Sequence, residues 1–378
     1  MEFEIDWLKN IRKQLHINPE LSHHEKKTAE AIDSYLKKLQ PDLIVKNIGG
    51  NGIACLFSGK YPGKTLLFRC ELDALPIDEV NSFEYKSVFN GVSHKCGHDG
   101  HMSIMLGLAV QLHNKRPKRG KVILLFQPAE ETGEGAQLIL SDEKLKQYSI
   151  DYVFALHNLP GFKENTIIVK DGVFASASVG VEIKLFGKTS HAGEPEKGIN
   201  PAKAVSRLIH QFLNLQNPNT NENLILVTII HILLGKISYG TSAGYAELRA
   251  TLRTFKSSVL KMLIQKVIDI VDKTCKDENL ENTLSFLEEF PASKNDEYCN
   301  SIVCQAAKDS GLPIEKITVP FRWSEDFGHF LNAYKGAIFG LGAGSDHPKL
   351  HNPDYDFPDG ILKSGINIFY QIIKNIHG

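Results

Sequence analysis

The chain has 378 residues, of which 42% are hydrophobic and 23% charged, with a formal net charge of -1 at pH 7. Single hydrophobic cores stop growing at about 250–300 residues, so two domains are expected. The near-neutral balance gives no electrostatic reason to expect nucleic acid or an anionic membrane as partner, and a small neutral or acidic molecule fits better.

In chain order, the acidic start Met1-Glu2-Phe3-Glu4-Ile5-Asp6 lacks the basic and apolar segments of a signal peptide. Residues 4–17 and 23–39 carry helical periodicity, broken between them by Asn18-Pro19. After Gly49-Gly50-Asn51-Gly52, short β-rich runs at 53–57, 65–71, 122–126 and 152–156 alternate with helical stretches at 102–114 and 135–140. Such alternation predicts an α/β fold, a sheet flanked by helices, whose ligands collect beyond the carboxyl ends of the strands.

From Ala175-Ser176-Ala177-Ser178 the pattern turns to alternation, Val179 to Leu185, followed by a helix-like run at 201–214. The apolar segment Leu224 to Leu234, interrupted by Thr228 and His231, is too short to cross a bilayer and reads as a buried strand. With a strand at 246–254 and a helix at 257–275, these segments form a βαββαβ-style unit, an α/β sandwich inserted at 177–289. The first domain then comprises 1–176 and 290–378. Six cysteines, at 55, 70, 96, 275, 299 and 304, include no Cys-x-x-Cys and need not form a disulfide framework, which suits a reducing cytoplasm.

His94-Lys95-Cys96-Gly97-His98-Asp99-Gly100-His101 places a thiolate and several imidazoles in eight residues. Such donors hold Zn, Mn, Co or Ni in preference to Ca or Mg. Cys96 and His98 are two apart on a loop leading into a helix, so both can face one point while Gly97 allows close backbone approach. His94 and His101 compete with them as donors, and a buried Cys96 acting as a small hydrophobe is the bland alternative. Glu130 and Glu131 follow Leu124-Leu125-Phe126 and a proline, at a strand end that should be sheltered. His157 closes a second apolar run, and His351 follows the turn-rich Ser345-Asp346-His347-Pro348, where His347 is a lower-ranked donor. Arg253, in Thr251-Leu252-Arg253-Thr254-Phe255, has the planar fork that matches a substrate carboxylate.

These segments, with Leu15-His16-Ile17-Asn18-Pro19-Glu20-Leu21-Ser22, Leu72-Asp73-Ala74-Leu75-Pro76-Ile77, Ser324-Glu325-Asp326-Phe327 and Tyr355-Asp356-Phe357, resemble the aminoacylase/carboxypeptidase family of binuclear metallohydrolases. The nearest branch is that of hippurate hydrolases, auxin-amino-acid conjugate hydrolases and N-acetyl-diaminopimelate deacetylases. The resemblance implies a catalytic domain carrying an inserted satellite domain through which two chains form a homodimer. It implies two divalent transition-metal ions per chain held by Cys96, His98, Glu131, His157 and His351. Glu130 would be the general base for a water activated by those cations, and Asp73 would orient a ligand imidazole. His191, in Gly187-Lys188-Thr189-Ser190-His191-Ala192-Gly193, would donate from the partner subunit to the tetrahedral oxyanion.

The chain departs from the family in two places. Glu71 stands where Asp is usual, and Gly240-Thr241-Ser242-Ala243-Gly244 lacks an asparagine that normally helps to hold substrate. The expected activity is metal-dependent hydrolysis of an N-acyl amino acid or similar short amide. Dipeptide hydrolysis, N-acetyl-diaminopimelate deacetylation and a catalytically inactive small-molecule binder on the same fold are the alternatives.

Overall fold

In the computed structural model, which describes residues 5–218 and 224–378, a mixed eight-stranded sheet organises the first unit. Its strand order is Leu43–Ile48, Gly52–Ser58, Arg119–Gln127, Tyr61–Glu71, Tyr152–Leu159, Lys335–Gly342, Ile167–Val169, Ile314–Lys316. The four central strands, Arg119–Gln127, Tyr61–Glu71, Tyr152–Leu159 and Lys335–Gly342, run parallel to one another. They are buried along most of their length, as parallel strands covered on both faces must be. Phe68, Phe154, Phe339 and Phe369 form the aromatic centre of the core, and Phe68 stacks on Phe154 at 5.6 Å between ring centroids. The helices His98–Asn114 and Leu362–His377 pack against each other and against the strand Tyr61–Glu71.

Contacts divide the chain into two units, Met1–Phe174 with Ser293–Thr318 and Asp326–Gly378, and Ala175–Ala292 with Val319–Glu325. The second unit is a four-stranded antiparallel sheet in the order Ile225–Leu234, Tyr245–Thr254, Ala177–Phe186, Glu281–Phe290. The helices Ala202–Leu213 and Ser257–Asp277 pack on it and on each other, giving the β-α-β-β-α-β order expected.

Two expectations about elements need correction. Leu224 to Leu234 is not a buried strand: Ile225–Leu234 lies at the sheet edge, pairs with Tyr245–Thr254 and, at Ile225, with Asn217, and leaves Ile230 61%, Ile232 44% and Leu234 44% exposed. Continuous apolarity marked it as core, whereas its place in the strand order decides its exposure. The helix expected at 102–114 begins at His98, because Gly97 adopts φ +88° and turns the chain into the helix four residues early.

A charged cluster is buried beneath the first turn of that helix. The Arg12 guanidinium meets Asp99 at 3.0 Å, Asp356 at 2.9 Å and Asp359 at 2.5 Å. His16 lies between Asp99 (2.9 Å) and Glu79 (3.0 Å), and the Lys95 ammonium meets Glu79 at 2.6 Å and donates to the Tyr355 carbonyl at 2.7 Å. Burial alone would lower the His16 pKa, but hydrogen bonds to Asp99 and Glu79 outweigh it and raise the pKa to about 9. A base whose folded pKa exceeds the unfolded value of about 6.5 contributes stability fully below pH 6.5, and loses it as pH climbs through 9. We therefore expect the melting temperature of the wild type to carry a decline between about pH 6.5 and 9 that His16→Gln lacks. Parallel pH profiles in the two proteins would contradict this assignment.

Candidate metal centre

Each parallel strand delivers a candidate side chain at its carboxyl end. Tyr61–Glu71 leads to Asp73 and then to the Cys96-Gly97-His98 turn, Arg119–Gln127 leads to Glu130 and Glu131, and Tyr152–Leu159 carries His157. Lys335–Gly342 runs toward His351. The parallel register places these ends along one edge, the position predicted for ligands on such sheets.

Donor atoms of Cys96, His98 and His157 lie within 4.8 Å of one another, as do those of Cys96, Glu131 and His351, and those of His98, Glu130 and Glu131. The five side chains predicted as metal ligands and Glu130 thus converge on one place from four separate stretches of sequence. Cys96 Sγ is 3.4 Å from His157 Nε2. His98 Nε2 is 3.8 Å from both Glu130 and Glu131, and His351 Nε2 is 3.8 Å from the other oxygen of Glu131. Cys96, His98, Glu130 and His157 are buried, whereas the His351 side chain is 51% exposed.

The imidazoles are held by their far nitrogens. His98 Nδ1 donates to the Asp73 carbonyl at 2.9 Å and lies 3.5 Å from the Asp73 carboxylate, and His157 Nδ1 donates to the Asn158 carbonyl at 2.9 Å. Each bond fixes the tautomer and turns Nε2 toward the other donors. His98 Nε2 is buried and makes no hydrogen bond. An orphaned ring nitrogen among a thiol sulfur, a second imidazole and two carboxylates fits a borderline transition-metal cation and would otherwise be a costly arrangement.

The electrostatics agree. Burial would lower the His98 pKa, yet the bond to Asp73 and the charges of Glu71 and Glu131 raise it to about 10, so this acid-lined space favours positive charge strongly. Asp73 is pushed up by burial, but His98, the Glu131 N–H and the Ser22 hydroxyl hold it below the usual carboxylate range.

Gly97 sits where no other residue fits easily. Its φ is +88°, and a Cβ there would come within 2.8 Å of the Asn158 side chain and 2.9 Å of the Tyr355 hydroxyl. The turn between Cys96 and His98 is therefore enforced by both conformation and space.

Two of the competing histidines have other partners. His101 Nδ1 binds Glu71 at 2.6 Å while its Nε2 accepts the Asn158 N–H at 3.2 Å, so both nitrogens are engaged by protein. His347 Nε2 donates to the Asp356 carbonyl at 2.5 Å. His94 is buried with its ring 6.3 Å from that of His16, neither of its ring nitrogens makes a hydrogen bond, and burial lowers its pKa to about 3. Glu71, singled out as a departure, joins a buried cluster in which Arg69 binds Glu71, Gln127 and Asp326, while Asp326 accepts the Ala136 N–H at 2.9 Å. Burial would raise the Glu71 pKa, but Arg69 and His101 hold it well below the ordinary range.

In the second unit, His191 is exposed, its Nδ1 accepts the Gly193 N–H at 3.0 Å, and its short strand pairs with Thr241–Ser242. Arg253 Nη1 donates to the Arg322 carbonyl at 2.8 Å and to the Ser324 hydroxyl at 2.6 Å.

Sequence reasoning missed the supports beneath these residues: Glu25, Arg69, Glu79, Lys95 and Asp99 are all buried charges that carried no assignment. The run from Leu15 to Ser22 was noted without a role, and its Ser22 hydroxyl binds the Asp73 carboxylate at 2.8 Å.

Among similar proteins, N-acetyl-L-cysteine deacetylase of Bacillus subtilis is 29% identical over 371 residues, covering 97% of this chain and 87% of the relative. N-acetyldiaminopimelate deacetylase of Anoxybacillus flavithermus is 31% identical over 359 residues, covering 93% of each. In fold, a crystal structure from methicillin resistant Staphylococcus aureus is 25% identical with a TM-score of 0.88, covering 99% of this chain and 97% of that one. A Bacillus subtilis protein described as a dinuclear metal binding peptidase is 24% identical with a TM-score of 0.81, covering 98% of this chain and 97% of that one. Residues 67–375 match the family described as Peptidase family M20/M25/M40, and the chain belongs to that family.

Proposed function

We propose that the chain is a metal-dependent amidohydrolase that cleaves an N-acyl amino acid, or a similarly short amide, into a carboxylate and an amine. The observation that carries this reading is the buried Glu130 carboxylate beside the orphaned His98 Nε2, with donor atoms of Cys96, Glu131, His157 and His351 in overlapping reach. Relatives named as deacetylases of N-acetyl-L-cysteine and N-acetyldiaminopimelate support the same bond type.

Cys96, His98, Glu131, His157 and His351 would hold two divalent cations, with Zn, Mn, Co and Ni all suited to the donor set. Such cations, when bound, act as Lewis acids toward the amide carbonyl and water. Glu130 takes a proton from the attacking water and returns it to the amide nitrogen as the C–N bond breaks. Its Oε1 accepts the Asp326 N–H at 3.4 Å. Asp73 keeps His98 oriented by contacts to its Nδ1. In the second unit, His191 is assigned to the developing oxyanion and Arg253 to the substrate carboxylate.

A homodimer accords with the exposed apolar edge strand Ile225–Leu234, since edges of that kind are ordinarily covered. All six cysteines are unbridged, which suits the cytoplasm. Among the described residues, no helix is long and apolar enough to cross a membrane.

Release of free amine from N-acetyl-L-cysteine, N-acetyl-diaminopimelate, other N-acyl amino acids and dipeptides tests the reaction and ranks the alternatives. Glu130→Gln is expected to lower kcat by about 10²–10⁴-fold while metal content by plasma mass spectrometry stays at the wild-type level. Near-normal turnover by that variant removes Glu130 from the role, and no turnover of any substrate by metal-loaded wild type favours a binder. Dialysis against a chelator is expected to abolish turnover and to lower the melting temperature, both restored by one of the four metals. A melting temperature indifferent to chelator and metal would argue against a cation at this place.

A further inference from the structure

The carboxylate of Glu25 lies fully buried below the turn that carries Glu130. One oxygen accepts the N–H of Ala129 and that of His23, each at 2.8 Å, and the other accepts the Asn51 side-chain amide at 2.9 Å. Glu25 therefore ties together three loops, the one after Leu21, the Gly49-Gly50-Asn51-Gly52 turn, and Pro128-Ala129-Glu130-Glu131.

Ala129 is the unusual member of that turn. Its φ is +52°, in the left-handed region that a residue with a Cβ enters only when its surroundings compel it. The compulsion comes from both sides of the residue, since its N–H is taken by Glu25 and its carbonyl accepts the Gly135 N–H at 2.9 Å. Two residues on, the Glu131 N–H is held by the Asp73 carboxylate at 2.9 Å. Two buried acids thus grip the backbone on either side of Glu130, whose side chain is left to reach His98 at 3.8 Å.

We infer that Glu25 is a positioning residue for Glu130, acting through the left-handed Ala129 to aim the Glu130 carboxylate. This rests on the reading of Glu130 as the general base. Catalytic groups displaced by about 1 Å lose roughly 10²-fold in rate without changing what binds. Removal of Glu25 should accordingly lower kcat far more than it alters KM.

Three variants test the inference per folded molecule. Glu25→Ala is expected to lose about 10- to 100-fold in kcat with KM within about threefold of wild type. Glu25→Gln keeps an oxygen for the Ala129 and His23 N–H groups but turns its own amide N–H toward the Asn51 amide, and should lose clearly less kcat than Glu25→Ala. In Glu25→Ala combined with Ala129→Gly, glycine enters the left-handed region at no steric cost, and part of the lost kcat should return. A crystal structure of Glu25→Ala should show Ala129 outside the left-handed region, a readout independent of turnover. If Glu25→Ala does not fold, Glu25→Asp keeps the charge but withdraws the oxygen from Ala129 by one methylene, and the same kcat loss is expected of it. Wild-type kcat in folded Glu25→Ala or Glu25→Asp, equal losses in Glu25→Ala and Glu25→Gln, or an unchanged Ala129 in the crystal would each overturn the inference. Absence of amide hydrolysis by the wild type would sink the proposed reaction, and the Ala129 conformation would still decide the case for Glu25.

Discussion

Crowding acids and imidazoles at one buried edge of a parallel sheet is the constraint around which the first unit is arranged. Carboxylates withdrawn from water repel one another strongly, because the interior screens charge poorly. Glu71, Asp73, Asp99, Glu130 and Asp326 are all buried in this region. Such a concentration is offset by donors and cations at most of the oxygens, while Asp73 Oδ1 and Asp99 Oδ1 are buried without a hydrogen-bond partner. The fold supplies the donors and cations in layers, with backbone N–H groups from turns nearest the site and buried guanidinium or ammonium groups behind them.

Two clusters do most of this compensation. Arg69 rises near the carboxyl end of a central strand and neutralises Glu71 and Asp326, which in turn grip His101 and the Ala136 N–H. Arg12, His16 and Lys95 neutralise Asp99 and Glu79 under the helix that begins at His98. Lys95 also joins the Cys96 loop to the C-terminal segment, since its ammonium donates to the Tyr355 carbonyl and its own carbonyl accepts the His351 N–H at 2.8 Å. Removing one member of a buried pair leaves its partner charged and unsolvated, so these clusters make the site's geometry rigid.

Much of the candidate centre was legible in the chain. Cys96 and His98 announce themselves by donor type and spacing, and Glu130 with Glu131 by following an apolar run and a proline. Their convergence was readable only through resemblance to a known family. Leu224 to Leu234 was misread because apolarity reports what a strand could bury, whereas strand order determines whether anything covers it. Lys335–Gly342, at the heart of the large sheet, drew no strand assignment, and its glycines at 336, 340 and 342 weaken any β signal. Glu25 passed unnoticed for another reason: a lone glutamate in a helical, charged stretch looks solvated, and nothing local says that it faces the backbone of residue 129.

The sequence by itself determined the donor chemistry, the alternation of strands and helices, and the existence of an inserted module, because these depend on residue type and local periodicity. The tertiary structure alone decided which histidines have an uncommitted nitrogen. It also decided which acids support rather than act, and why Ala129 holds a left-handed turn. Those are matters of partnership between groups up to hundreds of residues apart, such as Arg69 with Asp326, and a hydrogen bond is specified by where two atoms meet, which no local pattern encodes.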